Sequence, residues 1–230
     1  MPLSSAHVLR RPLVVATGNP GKLREFRALL AELPFDLIGQ GELGVAAPEE
    51  SGSSFLENAM LKARHAAAAA SAAGVCGGPG PGVAAIADDS GLEVDALGGA
   101  PGIFSARYAG TGADDAANNA KLLGALAGMC REQRVARYRC ALVFVSGAGD
   151  TAPLIAEAAW EGIIIDTPQG SGGFGYDPHF WLPELGLTAA QLAPADKNRL
   201  SHRGKAMREL RDQLAQRELM RSPYRPGQRP

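Results

Sequence analysis

Five short stretches of this chain carry residues whose types and spacing could do chemistry. Thr17-Gly18-Asn19-Pro20-Gly21-Lys22 places a hydroxyl, an amide, backbone N–H groups and a lysine together. At a helix start such groups make an anion site, since the unsatisfied N–H groups and the helix dipole favour phosphate. It is not the P-loop motif. Only Asn19 and Pro20 separate Gly18 from Gly21-Lys22, and Leu23 stands where that motif has Ser or Thr. A plain capped helix start fits the same residues, with Asn19 as cap and Pro20 at the first helical position. Asp88-Asp89-Ser90-Gly91 puts two adjacent carboxylates after an apolar run. Buried carboxylates must be solvated, paired or metal-bound. In a strand the two would point opposite ways and need not share a role. An acidic turn is the alternative.

Glu57 closes the sequence Ser54-Phe55-Leu56-Glu57, which has capping-box form. Asn58 and Lys62 make that helix start unusually polar for a run otherwise rich in alanine. Gly172-Gly173-Phe174-Gly175-Tyr176-Asp177-Pro178 sets aromatics between glycines, able to offer a flat face and a backbone amide to a planar ligand. A hairpin turn with two exposed aromatics is the competing reading, at a cost in water. Lys197-Asn198 and Ser201-His202-Arg203 crowd cations and donors at a predicted helix start. Their charge opposes the helix dipole and suggests an anionic partner. A solvated basic face is the alternative. Phosphate donors, carboxylates for a hard cation, a stacking loop and cations together describe a nucleoside phosphate site that uses a divalent ion.

The elements that must position these groups follow from periodicity. Leu13 to Ala16 is a short apolar strand, and Leu23, Phe26, Leu30 and Leu33 continue at helical spacing to Pro34. Phe35 to Ile38 reads as a strand, Ser54 to about Ala73 as an alanine-rich helix, and Ala84 to Ala87 as a buried strand ending at Asp88-Asp89. Gly74 to Gly82 is a flexible loop within one domain. Asp114 or Asp115 caps a helix carrying Leu122, Leu123 and Leu126. Tyr138 to Val145 and Leu154 to Ile165 form a long antiparallel hairpin. A last helix starts at Ser201, and Arg221 to Pro230 is expected to be a disordered tail. Helices alternate with strands and then a hairpin intervenes, so the fold class is α/β with a mixed twisted sheet.

The chain has 230 residues, 46% of them hydrophobic, with 23 basic and 24 acidic side chains. That balance gives no case for coating a nucleic acid polymer. Cys76, Cys130 and Cys140 form neither a disulfide framework nor a metal spacing, which fits a reduced, cytoplasmic setting. No apolar run approaches the roughly 20 residues of a membrane span, and no secretion signal stands at the start.

The five stretches also resemble the inosine triphosphate pyrophosphatase family. The matching segments are TGNPGKLREF, SFLENAMLKARHA, ADDSGLEVDALGGAPGIFSARYAG, GSGGFGYDPHF and KNRLSHRGKAMREL, in family order, from about Val14 to Leu210. The resemblance implies one domain over 13–220 with flexible termini at 1–12 and 221–230, and two lobes around a nucleotide cleft. It implies Mg²⁺-dependent hydrolysis of non-canonical purine nucleoside triphosphates (ITP, dITP, XTP) to monophosphate and pyrophosphate, by a homodimer. By position, Thr17, Gly18, Asn19, Pro20, Gly21 and Lys22 would bind the triphosphate. Glu57 and Asp89 would hold Mg²⁺, with Asp89 the general base and Lys22 a catalytic cation at the α-phosphorus. Ser90 would contact substrate. Phe174, Gly175, Tyr176 and Asp177 would form the base pocket, closed by Lys197, His202 and Arg203. Asp88 would play a structural part. Gln191 stands where family members often have Glu, and the 74–82 loop and both termini look longer than usual. A pyrophosphatase for pyrimidine or modified nucleotides and a nucleotide sensor without turnover are the rival readings.

Overall fold

The computed structural model describes residues 10–76 and 82–221. Most of the 74–82 loop, the start of the chain and residues 222–230 therefore lie outside the described residues. Seven strands form one sheet in the order β2-β1-β3-β4-β5-β6-β7. They are β1 (Arg11–Ala16), β2 (Phe35–Gly39), β3 (Ala84–Val94), β4 (Val135–Val145), β5 (Leu154–Ile164), β6 (Phe180–Leu182) and β7 (Leu187–Thr188). β1 runs parallel to both β2 and β3, and the remaining pairs are antiparallel. The sheet is mixed, as the pattern of elements requires. β1 begins at Arg11, two residues before the predicted strand, because Pro12 and Arg11 pair with Asp36 and Phe35.

Alternation along the strands sends two sets of side chains to opposite faces. On one face, Leu13, Val15, Ile86, Leu142 and Phe144 pack against Phe26 of the first helix, against Leu30 that caps its end, and against Met207 and Leu210 of the last helix. On the other, Val14, Ala16, Ala85, Ala87, Ala141 and Val143 meet a stripe of alanines, Ala59, Ala63, Ala66, Ala67 and Ala70. The small stripe lets the helix backbone lie close to the sheet. A third cluster fills the far end, around Leu92, Leu122, Tyr138, Trp160, Tyr176 and Phe180. The long strands β3, β4 and β5 run through all of this, so two lobes share one sheet.

The helices are α1 (Pro20–Leu29), α2 (Phe55–Ala72), α3 (Asp115–Ala125), α4 (Pro194–Leu200) and α5 (His202–Arg221). Because α1 covers one face and α2 the other, the chain leaves β1 for β2 on one side and returns to β3 on the other. The carboxyl end of β1 against β3 is thus a topological switch point, where open α/β sheets form a crevice. β1 stops at Ala16 opposite Ala87, and β3 runs on past it, paired with β4 alone among the strands.

Three expectations are corrected. Asp88-Asp89 is no turn: β3 continues to Val94, paired with β4 throughout. α1 ends at Leu29, and Leu33 sits in a tight turn whose N–H donates to the Leu30 carbonyl. The basic stretch is two helices, not the start of one. Pro194 opens α4, which carries Lys197 in its last turn, and the extended Ser201 breaks the chain before α5. Among the described residues no helix is long and apolar enough to cross a membrane.

Candidate active site

At the switch point, Asn19 caps α1: its Oδ1 accepts from the N–H groups of Gly21 at 2.8 Å and Lys22 at 3.1 Å. Thr17 Oγ1 accepts from Asn19 N–H at 3.1 Å. The helix start is therefore self-capped. Gly18 is exposed, and Lys22 reaches across the crevice to place its ammonium 3.0 Å from Asp88 Oδ1.

Asp88 and Asp89 diverge as alternation demands. Asp88 points to the α1/α5 face, wholly buried, where the Arg203 guanidinium and Lys22 neutralise it. Burial alone would raise its carboxyl, but those two cations and Ser90 hold it far below the usual carboxylate range. Arg203 belongs to the same network. Its Nε donates to Asp88, its Nη1 to Glu25 and its Nη2 to Ser90 Oγ at 3.0 Å. Glu25 also pairs with Lys197 at 3.2 Å.

Asp89 points to the α2 face. Its Oδ1 accepts from Lys62 Nζ at 2.5 Å, and its Oδ2 is buried with no partner. Burial raises this carboxyl above its ordinary value, and the Lys62 ammonium offsets only part of that. Lys62 also pairs with Glu50 Oε1 at 3.1 Å, and Arg107 pairs with the other Glu50 oxygen. Lys62 is thus the one charged residue in the alanine stripe, and it gathers Glu50 and Asp89.

Glu57 is placed elsewhere. Ser54 Oγ accepts from Glu57 N–H at 3.2 Å, as a cap requires. The Glu57 carboxylate turns to Ser53, accepting from its N–H at 2.7 Å and its hydroxyl at 2.9 Å. The helix explains why. Asn58 and Lys62, four apart, share the buried face, while Glu57 and Leu61 share the solvent face. The structure does not bring Glu57 to Asp89; it brings Glu50, from the loop before α2.

Beyond the crevice lies a cavity of about 190 Å³, lined in part by Ser90, Phe174, Gly175, Tyr176, His202 and Arg203. Asp177 fixes its floor: Oδ2 accepts from Phe174 N–H at 2.9 Å and Lys197 Nζ at 2.6 Å, and Oδ1 from Tyr138 OH at 3.2 Å. Tyr176 OH donates to the Ser105 carbonyl at 2.8 Å, which buries that ring. The Phe174 ring stays half-buried, with Lys197 Nζ 4.7 Å from its centroid. It lies so close to α1 that a Cβ on Gly21 would fall 2.6 Å from Phe174 Cδ1. The glycine loop and the helix start therefore touch, which sequence order does not reveal. His202 stacks on Tyr138, centroids 4.8 Å apart, and its Nδ1 is buried without a partner. Burial, reinforced by Arg203, pushes its imidazole well below its ordinary value, so it is neutral.

Of the residues named from the sequence, Asn19, Lys22, Ser90, Phe174 to Asp177, Lys197, His202 and Arg203 line this cavity, while Asp89 faces the other side of β3 beside Lys62 and Glu57 turns to Ser53 at the surface. Sequence reasoning missed Glu50, Glu25, Lys62 as a partner of Asp89, and the α3 residues beside Gly175. Lys62 had a signal, a lone lysine at core spacing among alanines; Glu50, in an irregular loop, had none.

The donor set suits a hard divalent ion. An orphaned, buried carboxylate oxygen on Asp89, with Glu50 nearby on the same lysine, is the kind of ligand that such an ion takes. No group of three or more His, Cys, Asp or Glu able to hold a metal occurs among the described residues.

Comparison with known proteins agrees with this architecture. The chain is 53% identical over 206 residues to a dITP/XTP pyrophosphatase of Methylococcus capsulatus, covering 90% of this chain and 97% of that one. A HAM1 protein from Coxiella burnetii superposes with a TM-score of 0.76 at 43% identity, over 90% of this chain and 99% of that one. The Staphylococcus aureus Ham1 protein does so with a TM-score of 0.74 at 38% identity, over 90% and 100% of the two chains. The model of the Ham1 family matches residues 13–213, and this chain belongs to that family.

Proposed function

We propose that this protein hydrolyses non-canonical purine nucleoside triphosphates, dITP, ITP and XTP, to the monophosphate and pyrophosphate with Mg²⁺. The observation that carries the reading is the unpartnered, buried Oδ2 of Asp89, on the strand whose next residue, Ser90, lines a cavity with Lys22 and Phe174. The naming of the Methylococcus relative supports the substrate class.

Asp89 and Glu50 would hold Mg²⁺, and Glu57 would not. Bound there, the ion supplies Lewis-acid neutralisation of the phosphate oxygens. Thr17 to Lys22 receive the triphosphate, and Lys22 exchanges Asp88 for a phosphate oxygen. The Asp89 carboxylate takes the proton of the attacking water as the water oxygen bonds to the α-phosphorus. The bond from that phosphorus to the α–β bridging oxygen breaks, and pyrophosphate leaves. Lys62 holds Asp89 in place through Oδ1.

The base enters the cavity against Phe174. Inosine and xanthine present a 6-oxo acceptor where adenine has an amino donor. Arg203 donates to Asp88, Glu25 and Ser90 through three of its five N–H groups, and His202 Nδ1 is buried without a partner, so His202 in its Nδ1–H tautomer and a remaining Arg203 N–H are the candidate donors to it. An adenine amino group would leave such a donor unsatisfied, a mismatch worth roughly 1–3 kcal/mol. Ser90 is positioned by Arg203 at the junction of cavity and crevice.

The test is pyrophosphate release from dITP, ITP, XTP, dGTP, dATP and dUTP, with and without Mg²⁺. The reading expects the first three to turn over much faster than the rest, and only with the metal. Preferential turnover of dUTP would favour the pyrimidine reading. Binding without turnover would favour a sensor.

A further inference from the structure

Gly175 lies in the proposed base pocket, in the left-handed conformation at φ 62°. Its peptide groups do not face the cavity unengaged. Asp115, the first residue of α3, accepts from Gly175 N–H through Oδ2 at 2.6 Å. Asn119, one turn later, donates from Nδ2 to the Gly175 carbonyl at 2.9 Å and to the Asp115 carbonyl at 2.8 Å. One turn of α3 therefore grips both sides of one residue 56 and 60 positions away in the chain. Asn119 holds this pose although its Oδ1 is left buried without a partner. The Nδ2 contacts two carbonyl oxygens, so the opposite amide orientation would set oxygen against oxygen.

We propose that Asp115 and Asn119 are positioning residues that set the width of the base pocket by clamping Gly175, and so help to select the base. This rests on the reading of the cavity as the base pocket. Phe174 precedes Gly175 and Tyr176 follows it, and Tyr176 is pinned independently by Ser105. The clamp therefore fixes the turn on which the stacking ring hangs. The phosphate groups of a substrate would bind at the α1 start, on other residues. Loosening the clamp should weaken recognition of the base and spare phosphate binding and chemistry.

The experiment measures KM and kcat for dITP hydrolysis in Asp115→Ala, Asn119→Ala, the double variant and Asp115→Asn. Inhibition by inorganic tripolyphosphate, which has no base, is measured alongside. Asp115 is exposed and Asn119 only half-buried, so folding should survive, and a thermal melt checks it. The expected result is a KM raised about tenfold in each alanine variant with kcat little changed. The double variant should lose less than the product of the two single losses, since both residues hold one peptide. Asp115→Asn keeps an acceptor oxygen and should restore most of the KM. Tripolyphosphate inhibition should not move. An unchanged KM in a wild-type-active background, or equal weakening of dITP and tripolyphosphate, would overturn the clamp. Absence of dITP hydrolysis by the unmodified protein would instead overturn the reading on which it rests.

Discussion

Lys62 Nζ lies 2.5 Å from Asp89 Oδ1, reaching it from the alanine face of α2. Glu50 sits 3.1 Å from the same ammonium. One lysine thus holds two carboxylates that would otherwise repel each other. Burial would lower its own ionisation, but Asp89 and Glu50 outweigh that and raise it, so it stays charged. Lys62→Met leaves the buried Asp89 carboxylate without its cation, a loss that costs roughly 3–5 kcal/mol, while the half-buried Glu50 keeps Arg107. The melting temperature should fall, and Mg²⁺ should restore more of it than it adds to the unmodified protein. A metal-induced shift no larger than in the unmodified protein would mean that these carboxylates do not form a cation site.

Glu50 and Glu57 are separated by the same logic. Glu50→Gln removes a charged oxygen donor beside Asp89, and hydrolysis should fall by roughly 100-fold with a higher Mg²⁺ midpoint. Glu57→Gln changes only a group turned to Ser53 on the solvent side, and activity should stay within about twofold. Paired Mg²⁺ titrations of the two variants decide it. A large loss in Glu57→Gln with none in Glu50→Gln would reverse the assignment.

Gly21→Ala tests the contact between the helix start and the base loop. The added methyl would sit 2.6 Å from the Phe174 ring and 3.0 Å from Asn19 Oδ1. Such overpacking typically costs about 1–3 kcal/mol. Because the ring can swing away, the expected result is a modest drop in melting temperature with a larger rise in KM. Unaltered KM would show that Phe174 does not face the substrate.

His202 gives a pH dependence of definite sign. Folding holds its imidazole well below 6.5 through burial and the neighbouring Arg203. Below about pH 6.5 the unfolded chain gains a proton that the folded chain refuses. Stability from this group is therefore complete above that pH and declines below it, by up to about 1.4 kcal/mol per unit. Asp88 and Glu25, held below their ordinary carboxylate values, contribute stability that is lost only at lower pH. Melting curves between about pH 5 and 6.5 should flatten in His202→Asn. An unchanged slope would mean that His202 is not the group responsible.

Much of this site is legible in the residues because it is local. Asn19, Pro20 and Gly21 encode a capped helix start by themselves, and the hydrophobic run into Asp88 marks a strand. The opposite orientations of Asp88 and Asp89 follow from the pleat alone. What is not legible depends on partners distant in sequence. Glu57 has the spacing of a cap and a carboxylate, and only the helix face decides that it looks outward. Glu50 acquires meaning through Lys62, and Gly175 through α3. The length of β3 was hidden because β4 pairs with it beyond the apolar run, so Asp88, Ser90 and Gly91 are strand residues by pairing and not by propensity.

The central claim is attack of water on the α-phosphorus, with Asp89 accepting the proton. Hydrolysis of dITP in ¹⁸O-labelled water, with the products resolved by ³¹P NMR, tests it most directly. The account predicts that dIMP and pyrophosphate appear together, with the label in dIMP. It also predicts that Asp89→Asn nearly abolishes both while the protein remains folded. Label in the pyrophosphate, orthophosphate as the first product, or a largely unaffected Asp89→Asn would contradict it.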